Sequence, residues 1–120
     1  MDTANFELSK ELYGVSRWGN SIDDHTYWSY IVYSGHRAEL RHAHRTGSDG
    51  IKTPAYDLRY LLRKLPRKLR SSVFRLQPLT DDERWYAGYW KVEYGATPED
   101  AACKLAIELF KQGILTKEAA

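Results

Sequence analysis

The sequence has little cysteine and lacks both long apolar runs and a signal peptide. Only one of its 120 residues is cysteine, so no disulfide forms within the chain, and a reducing compartment is expected. No run approaches the eighteen or so apolar residues that a membrane helix needs. The N-terminus lacks the basic start and apolar run of a signal peptide. We therefore expect one soluble domain, residues 1–120, in the cytoplasm.

Motifs that carry catalysis or bind cofactors are also missing from the sequence. It has no glycine-rich phosphate loop, no Cys-x-x-Cys and no His-Glu-x-x-His. These absences favour a protein that is not an enzyme and has no catalytic residue, metal or cofactor. Cys103 falls in an apolar helix arc, which predicts a buried structural thiol rather than a nucleophile.

His42 and His44 form a His-x-His pair, the one pattern that could chelate a metal from a strand. A complete site would need ligands from His25, His36, Asp23 or Asp24. We interpret the pair as surface histidines beside a basic strand. A small metal-dependent hydrolase or nuclease using His42, His44 and Asp24 stays open as an alternative.

Periodicity and turn signals predict an α+β domain in the order α-β-β-α-β-β-α. We expect an antiparallel sheet of about four strands, packed with two to three helices. The elements are predicted at 5–13 (helix, stopped by Gly14), 27–33 (strand), 36–44 (strand, or helix by propensity), 53–65 (helix, with Thr53 as N-cap and Pro54 first), 72–77 and 84–94 (strands), and 97–113 (helix, capped by Thr97 and Gly113).

The strand predicted at 84–94 carries large aromatic residues on both faces. Trp85 and Tyr89 alternate with Tyr86, Trp90 and Tyr94, while Gly88 marks a bulge or a close backbone approach. One face must pack on helices, and the other is either a partner surface or covered by further helices. Trp, Tyr and Arg dominate binding hot spots, so this strand is a candidate interface.

Charge is strongly segregated along the chain although the net charge is only +2. Residues 37–75 hold eleven Arg or Lys against three acids, while both flanking segments are net negative. If the cations of this segment lie on one face of the protein, with tyrosines between them, that face suits phosphate contacts and base stacking. The alternative is a solvated face balanced by the acidic flanks. The predicted binding residues are Arg37, Arg41, Arg45, Tyr56, Arg59, Tyr60, Arg63, Lys64, Arg67, Lys68, Arg70, Arg75, Trp85 and Tyr89.

Two segments resemble small uncharacterised phage and prophage proteins. Residues 94–106 (YGATPEDAACKLA) are similar to the strand-to-helix segment of those with an ABA-sandwich domain, and residues 54–66 (PAYDLRYLLRKLP) to a helix upstream of it. Together the two segments comprise 26 of the 120 residues. The resemblance implies a mobile-element origin and an antiparallel sheet with flanking helices. It implies no catalytic residue.

Two binding functions follow from the charge pattern and the resemblance. The first is a non-enzymatic phage accessory protein that binds a host protein or ribonucleoprotein complex. Such a protein could inhibit a nucleic-acid-handling defence complex, as anti-CRISPR proteins do. The second is a module that binds DNA or RNA directly through residues 37–75.

Overall fold

The computed structural model describes residues 3–19, 26, 28–32, 37–42, 51–79 and 83–116 of the chain. The predicted α+β class is confirmed, with strands paired antiparallel. In the described ranges there are eight strands in three small sheets, rather than about four strands in one. In chain order, the elements are α1 (Phe6–Ser16), β1 (Trp28–Val32), β2 (Glu39–His42), β3 (Ile51–Ala55), α2 (Leu58–Lys64), β4 (Lys68–Leu69), β5 (Ser72–Val73), β6 (Arg75–Pro78), β7 (Trp85–Gly88), β8 (Val92–Gly95) and α3 (Pro98–Lys111).

The first sheet has the strand order β2-β1-β3 and settles two of the sequence predictions. Residues 39–42 pair with β1, which resolves the ambiguity at 36–44 in favour of a strand. Thr53 and Pro54 were expected to start a helix, and that prediction is wrong. Both lie in β3, where Pro54 is in register with Ser29. Proline is tolerated there because β3 is at the edge of the sheet as described.

Helix α2 starts later because its cap is Asp57. The Asp57 carboxylate accepts a hydrogen bond from the Tyr60 N–H at 2.8 Å. Helix α1 starts as expected after Asn5, whose side chain accepts from the Leu8 N–H at 2.8 Å. The predicted stop at Gly14 is wrong, because α1 continues to Ser16 and ends where Arg17 takes a left-handed φ of 60°.

The predicted strand at 84–94 is two strands joined by a tight turn. Strands β7 and β8 pair antiparallel, and residues 89–91 form the loop between them. A Cβ on Gly88 would lie 2.1 Å from the Lys91 carbonyl oxygen, so only glycine allows this close backbone approach. Strand β6 pairs with β7 on the other side, which makes the order β6-β7-β8. The sheet is therefore small, with two free edges in the described structure.

Helix α3 is the centre of the core. Thr97 caps it by accepting from the Asp100 N–H at 3.1 Å, and Gly113 follows the helix with a positive φ of 76°, as predicted. The helix packs against α1 and α2 on one side and against β7 and β8 on the other. Two-sided packing explains the wide apolar arc of its sequence. Fully buried Cys103 lies in this arc, as predicted, and burial raises the pKa of its thiol.

Among the described residues, no helix is both long enough and apolar enough to cross a membrane.

Candidate functional site

A run of positive charge covers α2 and the strands that follow it. Residues 58–79 contain seven Arg or Lys and no acidic residue. Lys64 is half-buried and its ammonium lies 5.7 Å from the ring centroids of both Trp18 and Tyr60. The other six are exposed, and within the described ranges none has a carboxylate at ion-pair distance. We call these six the basic surface: Arg59, Arg63, Arg67, Lys68, Arg70 and Arg75.

Two cations of the basic surface, Lys68 and Arg70, lie in the β4–β5 hairpin. Lys68 is in register with exposed Val73, while Leu69 packs against the core. The two turn residues, Arg70 and Ser71, both have left-handed backbones, with φ of 48° and 74°. This turn holds the Arg70 guanidinium 5.0 Å from the centroid of the Trp90 ring, in the loop between β7 and β8. Two hairpin turns therefore meet through a cation–π contact.

Tyr89 joins these hairpins from inside and is not a surface residue. Its hydroxyl donates a hydrogen bond to the Pro66 carbonyl, and its ring lies 5.5 Å from that of Phe74. Burial raises the pKa of Tyr89 to about 12. Phe74 is fixed in turn, since its N–H donates to the Arg67 carbonyl at 2.8 Å. The assignment of Tyr89 as a binding residue is therefore corrected to a structural one.

Tyr56 and Tyr60 were expected to stack bases between the cations, and their burial excludes that role. The Tyr56 hydroxyl donates to the Trp18 carbonyl at 2.6 Å in the core. Tyr60 packs against the rings of Tyr56 and Trp18 at 5.4 and 6.5 Å. Arg63 covers Tyr60 from outside, with its guanidinium 5.3 Å from the ring centroid. Both tyrosines support the basic surface but cannot contact a ligand.

The sheet β6-β7-β8 has one face on α3 and one open face. Trp85, Ala87 and Glu93 alternate toward α3, and Trp85 packs against the core. Trp85 is half-buried there, and its assignment as a binding residue stays a prediction. The side chains opposite them form what we call the open face: Arg75, Gln77, Tyr86, Val92 and Tyr94.

Tyr86 and Tyr94 are adjacent on the open face, in register across β7 and β8. Tyr86 donates its hydroxyl hydrogen to Gln77 Oε1 at 2.6 Å, so the three strands carry a continuous row. Tyr94 is 45% exposed, and the Arg84 guanidinium lies 5.5 Å from its ring centroid. Trp90, in the adjoining loop, is 42% exposed.

Sequence reasoning correctly separated the set of Trp85 from the set of Tyr86 and Tyr94, but it named Tyr89 as a binding residue, and Tyr89 is buried. The signal that could have decided between them is Ala87. It is fully buried, and a small residue is what allows a helix to approach a strand closely. The face that carries Ala87 is therefore the packed face, and on the opposite face Tyr94 is exposed and Tyr86 is half-buried.

The remaining predicted residues lie in or next to parts of the chain that the structure does not describe. Arg37 is exposed just before β2, and Arg41 is in β2 with its side chain undescribed. Arg45 lies outside the described residues, and so do His25, His36, His44, Asp23 and Asp24; the His42 side chain is also undescribed. Within the described residues, no three His, Cys, Asp or Glu side chains cluster as metal ligands would.

The chemistry of this site suits contact with anions and with flat rings. Exposed guanidinium and ammonium groups bind phosphates, and exposed Trp and Tyr rings offer faces for stacking. No family model, curated protein or solved structure matches the chain. Its function is therefore inferred from the basic surface and the open face.

Proposed function

We propose that this protein is a non-enzymatic nucleic-acid-binding protein that contacts phosphates through the basic surface. The observation that supports this most is the group of six exposed cations without a carboxylate at ion-pair distance in the described ranges. Solvated helix faces usually alternate the two charge signs, which stabilises them by i,i+4 pairs. Residues 58–79 contain no acidic residue, so no such pair forms between residues of this segment.

Binding would be favourable because DNA and RNA release condensed counterions when cations neutralise their phosphates. The hairpin turn holds Arg70 against Trp90, so this guanidinium is ordered before a ligand arrives. Lys68 and Arg75 lie on β4 and β6, which directly flank β5 in sequence. Two of the six cations are therefore presented by regular strands, while Arg59 and Arg63 lie on α2 and Arg70 lies in the β4–β5 turn.

Fluorescence anisotropy with a labelled oligonucleotide, repeated over a series of salt concentrations, tests the proposal. We expect the association constant to fall steeply with salt, with a log–log slope of about −0.7 for each single-strand phosphate contact. The variant Arg67→Gln/Lys68→Gln removes two contacts, so the slope should become shallower by about 1.4.

The matched control removes the same charge from outside the basic surface. Lys10→Gln/Lys111→Gln changes exposed lysines on α1 and α3, one of which pairs with Glu11 at 2.9 Å. We expect the control to keep the wild-type slope. A flat salt response of the wild-type protein, or equal losses in both double variants, would contradict the proposal.

A second candidate function is a phage or mobile-element protein that docks on a host ribonucleoprotein and inhibits a defence complex in the host cytoplasm. It is favoured by two apolar side chains within the basic segment: Val73 is 60% exposed and Leu62 is 42% exposed. Exposed apolar residues among cations are typical of protein interfaces. The resemblance to phage proteins stays a prediction that agrees with this candidate.

Affinity capture of a host ribonucleoprotein before and after nuclease treatment separates the two candidates. A protein contact would survive digestion of the nucleic acid and would weaken in a Val73→Glu variant. Capture that disappears on nuclease treatment would instead support direct nucleic-acid binding.

A further inference from the structure

We infer that the open face is a stacking platform for single-stranded nucleic acid, with Tyr86 and Tyr94 each accepting a base. This inference depends on the proposed function and specifies its ligand. The shared chemistry is an unpaired base on a phosphate backbone, in either DNA or RNA.

The geometry of the aromatic row carries the inference. Residues opposite each other on antiparallel strands have Cβ atoms about 5 Å apart, so the side chains of Tyr86 and Tyr94 leave the sheet side by side on one face. Gln77 continues the row and accepts the Tyr86 hydroxyl hydrogen with Oε1, which leaves its amide nitrogen to donate to a base edge. A row of this kind can contact bases that are not stacked in a duplex.

Charge complementarity identifies the occupant as an anion. The only carboxylate among residues of β6, β7 and β8 is that of Glu93, and it lies on the opposite face toward α3. Arg75 begins the open face on β6, and Arg84 lies over the ring of Tyr94. A cation over one side of a Tyr ring is compatible with a base stacked beside it and a phosphate near the guanidinium.

The open face adjoins the basic surface, which gives the sugar-phosphate backbone of a bound single-stranded nucleic acid a path along the protein. Arg75 belongs to both surfaces and is in register with Gly88, at the end of β7 that leads to Trp90. Trp90 in turn contacts Arg70. A duplex could reach the basic surface, but its stacked and paired bases present no free faces to Tyr86 and Tyr94.

Anisotropy with oligo(dT), oligo(U) and a mixed-sequence duplex, each about 15 nucleotides long, tests the platform in the full chain. We expect either or both single strands to bind more tightly than the duplex at equal salt. Tyr94→Leu keeps an apolar side chain but loses the ring, so single-strand affinity should fall about tenfold. Tyr86→Leu should give a similar loss, and Tyr94→Phe should retain wild-type affinity.

The matched control is Tyr13→Leu on α1, because Tyr13 also lies under an arginine, with the Arg17 guanidinium 5.2 Å from its ring centroid. It should bind as the wild type does. Duplex affinity of each Leu variant reports its folding, since duplex binding uses the basic surface alone. If Tyr94→Leu and Tyr86→Leu bind single strands normally, the platform is refuted and the proposed function stands. If the wild-type protein binds no oligonucleotide, both the stacking platform and the proposed function are refuted.

Discussion

Removing one hydroxyl group from Tyr56 tests whether this residue belongs to the core rather than to a ligand site. In Tyr56→Phe, the Trp18 carbonyl loses the hydrogen bond that it now accepts at 2.6 Å. The site is completely buried, so water cannot replace the lost donor. An unsatisfied buried acceptor costs about 1–3 kcal/mol in the free energy of unfolding.

The chain offers a matched comparison in Tyr86→Phe. The Tyr86 hydroxyl also makes a hydrogen bond of 2.6 Å, to Gln77, but on the exposed side of the sheet. Water replaces that bond, and surface changes of this kind stay within about 0.5 kcal/mol. The same chemical change should therefore have different costs at the two positions, and burial is the reason.

Thermal unfolding followed by circular dichroism measures the melting temperatures of both variants and of the wild type. For a chain of this size, about 1 kcal/mol corresponds to roughly 4 °C in the melting temperature. Tyr56→Phe should melt at least about 4 °C lower and Tyr86→Phe within about 2 °C of wild type. Equal stabilities, or weaker oligonucleotide binding by folded Tyr56→Phe, would refute the assignment of Tyr56 to the core.

Two further predictions concern titratable groups, the buried Cys103 thiol and the half-buried Glu93 carboxyl group. The Cys103 thiol, which donates to the Leu8 carbonyl at 3.5 Å, should react with a thiol reagent about two orders of magnitude more slowly in the native protein than in denaturant. Comparable rates would mean that α3 does not bury it. Burial and the nearby Glu108 carboxylate raise the pKa of Glu93, so its ionised form destabilises the fold as pH rises through that raised pKa. Glu93→Gln should therefore be more stable than wild type at pH 7, and the difference should vanish below about pH 4 in a pH series of melts.

Elements set by local signals could be predicted from the sequence. Helix α3 has a Thr-Pro start, acids in its first turn and glycine after its end, and all of these act within a few residues. The same Thr-Pro signal failed at Thr53-Pro54 because β1 pairs with that segment. Pairing across more than twenty residues overrode a local preference that the sequence shows clearly.

Part of the candidate site could be predicted as well. Six of the seven cations of residues 58–79 are exposed, as the charge pattern suggested. The aromatic partners could not be chosen from alternation alone, because alternation separates Trp85 from Tyr86 without saying which one α3 covers. The break at residues 89–91 was hidden for a similar reason: Gly88 is its only turn residue, and the sequence around it reads as one strand.

The β4–β5 turn has an amino-acid composition that folding stability alone would not select. A two-residue turn with both backbones left-handed is normally Asn-Gly, and other residues there cost about 1 kcal/mol each. This chain places Arg70 and Ser71 at those positions. Arg70-Ser71→Asn-Gly would relax the turn while leaving Trp90 without its guanidinium neighbour. The turn sequence with the least backbone strain is thus Asn-Gly, whereas the sequence that presents a cation beside an indole ring is Arg70-Ser71. This chain has the second.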